Sequence, residues 1–174
     1  ASTAITRPAF APTDAELMAV GVTGVFLGYY LPWEGYGNAL YAQAHGFQTY
    51  DRPVEGSLVN YENLDNIQTG IHDYFKFIKY GFGRATDLAC LHVRRGRLSR
   101  EDAMRLVKLH DGKLPHVYLG CPIDEVLREI DLTRDEFVRI CDRFTNKKLF
   151  VCDARGNLVK DRDGNLTKIN YDNA

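Results

Sequence analysis

The sequence lacks the paired cysteines that mark zinc sites and redox motifs. It contains four cysteines in 174 residues, and no two of them stand at CxxC spacing. Their wide separation argues against a zinc site, and a cytosolic context gives no reason to expect disulfides. We expect small core residues at all four positions. They are Cys90, Cys121, Cys141 and Cys152.

A strong net charge and a long apolar run are also missing. The formal net charge is −1, so no global field attracts nucleic acid or an acidic membrane surface. No apolar run approaches membrane-spanning length, and the chain does not start with a basic and then apolar signal peptide. With 45% hydrophobic and 26% charged residues, the composition is that of a globular protein with a substantial core. The sequence predicts a cytoplasmic protein that binds neither nucleic acid nor membrane.

The first part of the chain, residues 1–52, has the pattern of one α/β unit. Thr13 and Glu16 form a capping box before a short helix. Residues 24–31 (GVFLGYYL) are continuously apolar and aromatic, which predicts a strand buried on both faces, as in parallel sheets. A helix at 38–45 and a second strand at 47–50 would follow. We therefore predict the end of a Rossmann-like parallel sheet.

Residues 53–150 have the pattern of a helical region, and residues 151–174 that of a short β tail. Helices are predicted at 69–80, 83–95, 100–110, 123–130 and 133–144. In the tail, DARGNLVK recurs as DRDGNLTK, each copy with a Gly-Asn turn, which predicts a hairpin or a loose arm. The second copy begins like a calcium loop, but Leu166 stands where such a loop needs glycine. No metal site is predicted. The fold class is thus α/β, predominantly helical.

The segment 60–87 combines ionisable groups with six aromatic residues, a mixture typical of a polar pocket with apolar walls. Ile71, Tyr74, Phe75 and Ile78 form one apolar helical stripe, with the helix starting near Gln68 or Thr69 and ending at Gly81. The next helix begins at GFGRATD, where free N–H groups favour an anion and an arginine adds a bidentate donor. The ionisable residues are Glu62, Asp65, His72, Asp73, Lys76, Lys79, Arg84 and Asp87.

From these residues we predict a candidate site with two kinds of role. Lys79 and Arg84 are predicted to contact phosphate or carboxylate groups, with Asp87 orienting them. The predicted catalytic residues are His72, Asp73 and Asp87. The predicted substrate-binding residues are Glu62, Lys76, Lys79 and Arg84. No apolar stripe requires Arg84, so its loss is expected to weaken turnover more than folding.

Plainer explanations remain open for the same residues. Lys76 and Lys79 are equally compatible with solvated positions, and Arg84 with Asp87 is compatible with a surface ion pair. A separate basic cluster is either a favourable cationic helix end or a docking patch for the phosphates of a nucleotide or nucleotide-sugar. That cluster consists of Arg94, Arg95, Arg97 and Arg100.

Five segments, in this order, resemble the C-terminal half of bacterial N-acetyl sugar amidotransferases of the PP-loop ATP pyrophosphatase superfamily. They are GVTGVFLGYYLPWEGYGNALYAQAHGF, EGSLVNYENLDN, GIHDYFKFIKYGFGRATD, REDAMRLVKLHDGK and DRFTNKKLF. The resemblance implies a reaction in which ATP, with Mg²⁺ expected, adenylates the oxygen of a sugar N-acetyl group. Ammonia then displaces AMP to give an acetamidino group. Such sugars belong to lipopolysaccharide O-antigen and to the nonulosonic acids that decorate flagellin.

The resemblance also implies partner subunits and a part of the family's proteins that these 174 residues do not contain. Glutaminase and cyclase-like subunits would supply the ammonia, and the substrate would be a nucleotide-sugar or a nonulosonic acid. The SGGxDS PP-loop and the N-terminal cysteine pairs of the family are absent from the 174 residues, so we expect a C-terminal portion that is inactive alone. The alternative is a noncatalytic helical module that docks a partner subunit through the basic cluster and an aromatic surface. That surface consists of Tyr29, Tyr30, Trp33 and Tyr36.

Overall fold

A computed structural model describes residues 12–31 and 33–169. The chain divides into two compact units, one ending at Ala42 and the other starting at Gln43. Among the described residues, no helix is both long enough and apolar enough to span a membrane.

The first unit is built from short helices. Helix α1 (Asp14–Ala19) starts at the predicted capping box, in which Thr13 and Glu16 bond each other's backbone N–H. Helix α2 (Leu27–Tyr30) is a single turn, and α3 spans Gly35–Ala44. The helix predicted at 38–45 is confirmed, with Gly46 just beyond its end at a positive φ of 95°.

The predicted buried strand at 24–31 is wrong. Its backbone makes local bonds, from the Tyr29 N–H to the Phe26 carbonyl and from the Leu31 N–H to the Leu27 carbonyl. Its side chains are exposed, with Phe26 at 90%, and no described strand of this unit pairs with its backbone. Residues 47–50 also form no strand. A Rossmann-like parallel sheet is therefore not shown, and the described structure is predominantly helical with one small antiparallel sheet.

The second unit contains five helices and a two-stranded sheet in its described residues. The strands β1 (Val117–Tyr118) and β2 (Cys121–Pro122) pair antiparallel, with Val117 opposite Pro122. The predicted N-caps Ser99 and Thr133 are confirmed, the latter in a full capping box. The helices are α4 (Thr69–Tyr80), α5 (Arg84–Arg94), α6 (Arg100–His110), α7 (Ile123–Arg128) and α8 (Arg134–Phe144).

The core of the second unit lies between α4, α7, α8 and the chain after α8. Tyr74 and Ile78 of the predicted stripe are buried, and Phe77 adds a third buried side chain from α4. Ile71 and Phe75 pack only at the border of the core. Phe77 packs against Phe150, which is 1% exposed, with ring centroids 5.4 Å apart. The remaining core side chains are Leu114, Ile123, Leu127, Phe137, Cys141 and Leu166.

The internal repeat forms two consecutive turns, closed by isolated bridges between Cys152 and Leu158 and between Lys160 and Leu166. In each turn an aspartate carboxylate accepts backbone N–H groups, Asp153 in the first and Asp161 in the second. The segment is docked on the unit and is not a loose arm. The side chain of Asn165 accepts the Leu114 N–H at 2.8 Å.

The two repeats give a matched test of this docking. Leu166 is buried in the core, whereas its repeat equivalent Leu158 only borders it. We expect Leu166→Ala to destabilise the unit by about 2–3 kcal/mol and Leu158→Ala by about 1 kcal/mol, because the cost follows burial. Urea melts of both variants measure the difference. Equal losses would contradict the docking of the second repeat.

Candidate functional site

A bidentate ion pair lies at the centre of the polar residues. Arg84, in the first turn of α5, donates from Nε to Asp73 Oδ2 at 2.5 Å and from Nη2 to Asp73 Oδ1 at 3.0 Å. The Asp73 side chain is 11% exposed and that of Arg84 is 23% exposed. Because both side chains are largely buried, separating them would leave two buried charges without a partner. The pair is therefore held in one geometry.

Two further predicted residues extend the pair towards solvent. Glu62, from the segment before α4, places a carboxylate oxygen 3.8 Å from Arg84 Nη1. The Nδ1 atom of His72 lies 3.2 Å from Asp73 Oδ1, and the His72 side chain is 76% exposed. We call Glu62, His72, Asp73 and Arg84 the arginine cluster. It presents one imidazole and one carboxylate at its outer edge.

Tyr118 of β1 closes the inner side of the arginine cluster. It is buried, and its hydroxyl donates to the Asn63 carbonyl at 3.4 Å. Burial raises the pKa of the Tyr118 phenol; the charge of Arg84 opposes this rise and the charge of Asp73 adds to it. Gly70 makes room for the ring, because a Cβ there would lie 2.9 Å from it. Tyr118 was missed from the sequence, where no spacing links it to α4 or α5.

The charge of Arg84 is fixed by its surroundings. Burial alone would lower the pKa of the Arg84 guanidinium, but the hydrogen bonds and charge of Asp73 raise it, and Tyr118 and Glu62 add to this effect. The pKa therefore lies above its ordinary value. Arg84 is a permanent cation and an unsuitable proton carrier.

The other predicted residues lie elsewhere. Lys76 forms an ion pair with Asp87 and lies over the Phe82 ring at 4.9 Å. Asp87 thus pairs with Lys76 and, among the described ion pairs, does not orient Arg84. Lys79 lies over the Phe75 and Phe144 rings, at 5.9 and 5.1 Å from their centroids. Phe144 belongs to α8, so the ammonium of Lys79 lies against α8, and no described ion pair joins it to the arginine cluster.

The predicted anion position at the start of α5 is filled by the chain itself. The carboxylate of Asp111 accepts the N–H groups of Gly83 at 2.9 Å, Ala85 at 3.0 Å and Thr86 at 3.3 Å. Gly83 permits this approach, because a Cβ there would lie 2.8 Å from Asp111 Oδ1. The sequence pattern indicated an anion at this helix start but not that Asp111, just after α6, provides it.

Replacing Asp111 tests this anchor. We expect Asp111→Asn to destabilise the second unit by about 1–2 kcal/mol, because the amide keeps the shape but loses the charge at the helix N-terminus. Asp102→Asn is the matched control, since Asp102 bonds only the neighbouring Ser99 and Arg105 on the surface. Thermal melts should show a clear loss for Asp111→Asn and less than about 1 kcal/mol for the control. A larger loss in the control would refute the anchor.

The cleft beside the arginine cluster is too small for a sugar. Beside Asp73, Arg84 and Asp111 lies a cleft of about 30 Å³, room for roughly one or two waters. A sugar-sized ligand would therefore contact the outer edge, at Glu62 and His72. In the described part of the chain, no three His, Cys, Asp or Glu side chains form a group that could hold a metal ion.

Most of the second unit matches a known protein family. Residues 46–161 match the model of the family described as LPS biosynthesis protein WbpG-like, C-terminal domain. The matched range contains the whole arginine cluster, Tyr118 and Asp111. No curated protein matches the chain at a significant level. Because the family model covers more than half of the chain, the chain belongs to the WbpG-like family of lipopolysaccharide biosynthesis proteins and carries its C-terminal domain.

Proposed function

We propose that this chain is the substrate-binding C-terminal part of an ATP-dependent amidotransferase that converts a sugar N-acetyl group to an acetamidino group. Membership of a lipopolysaccharide biosynthesis family supports the pathway. The resemblance of five ordered segments to sugar amidotransferases supports the reaction. The observation that carries the proposal is the arginine cluster. Its guanidinium is fixed by Asp73, and its open edge carries the Glu62 carboxylate and the His72 imidazole.

The proposed task of the arginine cluster is to bind and orient the sugar. Asp73 holds the Arg84 guanidinium in place, so little side-chain entropy is lost when a sugar oxygen accepts a hydrogen bond from it. Glu62 accepts hydrogen bonds from sugar hydroxyls. His72 accepts or donates a proton where the incoming ammonia becomes the amidine nitrogen.

The residues of this chain do not fit ATP and Mg²⁺. The sequence contains no SGGxDS loop, and Asp111 occupies the helix N-terminus that would take a phosphate. We therefore assign no nucleotide step to this chain. In the proposal, ATP binds in the PP-loop part of the full-length protein, and glutaminase and cyclase-like subunits deliver the ammonia.

The full-length protein provides the test of the reaction. It should convert a nucleotide-linked N-acetyl sugar, or an N-acetylated nonulosonic acid, to the acetamidino product in the presence of ATP and ammonium. Mass spectrometry detects the replacement of the carbonyl oxygen by NH. ATP consumption without this product, with either substrate class, would refute the amidotransferase proposal.

The second candidate is a noncatalytic module that docks a partner subunit. The exposure of Tyr29 (85%), Tyr30 (65%) and Trp33 (65%) favours it, because aromatic side chains are enriched in interfaces. Unchanged amidotransferase turnover in variants of the arginine cluster, with reduced turnover in variants of these aromatics, would support this candidate over the first.

A further inference from the structure

Helices α5 and α6 enclose an apolar groove that the proposed reaction does not use. The groove has a volume of about 500 Å³, within the size range of ligand sites. Its apolar lining comes from Ala89, Cys90, Val93, Ala103, Met104 and Val107. Met104 is 51% exposed, so the groove is open to solvent at this residue.

Three cations border this groove without a carboxylate partner in the described residues. They are Arg94, Arg100 and Lys108. Other cations of the unit are paired, for example Lys76 with Asp87 and Lys160 with Asp142. The nearby Asp102 is engaged by Arg105 and Ser99. The charge of the groove border is therefore available to an outside anion.

The cations stand at both ends of the groove. Arg94 and Arg100 flank the turn that joins the two helices. Lys108 lies near the opposite end, where Asp111 bonds the start of α5. Arg100 and Lys108 are separated by two helical turns, roughly 12 Å along the axis. An amphiphile with one anionic head would reach only one end. A helix with acidic residues about two turns apart, on either side of an apolar stripe, would reach both.

We propose that the α5–α6 groove binds an amphipathic α-helix of a partner protein, with its apolar stripe in the groove and acidic residues against Arg94, Arg100 and Lys108. This mode corresponds to helix-in-groove recognition, in which the stripe supplies affinity and the flanking charges supply orientation. The inference is independent of the amidotransferase proposal, because it uses none of the residues of the arginine cluster.

Two synthetic peptides test the charge requirement. Both carry fluorescein, are roughly 15 residues long, about the length at which isolated helices form, and have leucines at i, i+3, i+4 and i+7. One has Glu and the other Lys beside the stripe. By fluorescence anisotropy, we expect the Glu peptide to bind at least about tenfold tighter than the Lys peptide. The triple variant Arg94→Glu, Arg100→Glu, Lys108→Glu should reverse this order.

A matched triple variant separates the groove from net charge. The control replaces three exposed arginines outside the groove by Glu: Arg128, Arg143 and Arg155. Because it also exchanges three cations for three carboxylates, it changes the net charge by the same amount. This control should keep the preference for the Glu peptide. Equal binding of the two peptides, no binding of either, or the same effect from both triple variants would overturn the proposal. Circular dichroism melts check that the variants fold.

Cys90 provides a second measurement on the unmodified chain. It is exposed and lines the groove, so a bound helix should slow its alkylation by iodoacetamide severalfold, as followed by peptide mass mapping. The half-buried Cys121 and Cys152 and the buried Cys141 serve as internal references. Protection by phosphatidylglycerol vesicles but not by the Glu peptide would overturn the helix proposal in favour of a lipid. Self-association that protects Cys90 and is lost in the groove triple variant would overturn it in favour of a second copy.

Discussion

Gly112→Ala is expected to destabilise the second unit by about 2–5 kcal/mol. Gly112 has a φ of +75°, and a Cβ there would lie 2.3 Å from Cζ of Phe77. The backbone conformation costs a side chain about 1–2 kcal/mol, and a forced core contact costs about 1–3 kcal/mol more. Phe77 has little room to move, because it is buried against Phe150.

Gly96→Ala is the control for this prediction. Gly96 has a similar φ of +68°, and a Cβ there would meet no atom within 4 Å. It should therefore lose only the backbone cost of about 1–2 kcal/mol. Urea melts measure the free energy of unfolding of both variants, and the difference between their losses gives the cost of the contact with Phe77. Equal losses would contradict the close contact between Gly112 and Phe77.

The second large effect is expected at the Asp73–Arg84 pair. Asp73→Ala leaves the Arg84 guanidinium partly buried without its bidentate partner, and we expect a loss of about 2–4 kcal/mol. Arg84→Ala should cost a similar amount, and the double variant should cost clearly less than the sum. Additive losses in urea melts would show that the two side chains do not depend on each other.

The Lys76–Asp87 pair is the control for this cycle. The Asp87 side chain is 52% exposed, so Lys76→Ala and Asp87→Ala should each cost less than about 1 kcal/mol. The comparison also changes the interpretation of Arg84. From the sequence, its loss was expected to weaken turnover more than folding. Because Arg84 compensates a buried carboxylate, Arg84→Ala alone does not separate binding from stability.

Local signals in the sequence predicted most helices of the second unit. Caps such as Ser99 and Thr133 fix the start of a helix through bonds to residues three positions on, so a single sequence contains the whole interaction. Gly81 ends α4 in the same local way, with a φ of 80°. These boundaries required no knowledge of tertiary packing.

Interactions between distant segments were not predicted. Residues 24–31 have a strand composition, but a strand needs a partner, and the described first unit provides none. Asp111 and Tyr118 reach their positions through the packing of α6 and β1, which no spacing in the sequence encodes. For the same reason the sequence placed Lys79 with Arg84, although the fold turns Lys79 towards α8.

The central claim is that the open edge of the arginine cluster binds the sugar, and variants of that edge test it most directly. Glu62→Gln and His72→Gln leave the Asp73–Arg84 pair intact, so urea melts should change by less than about 1 kcal/mol. Lys79→Gln, on the face towards α8, is the matched control.

In the full-length protein, kcat/KM for conversion of the N-acetyl sugar should fall at least about tenfold for Glu62→Gln, with the larger share of the change in KM. The control Lys79→Gln should keep normal turnover. Normal kcat/KM in both edge variants, with unchanged melts, would contradict the claim.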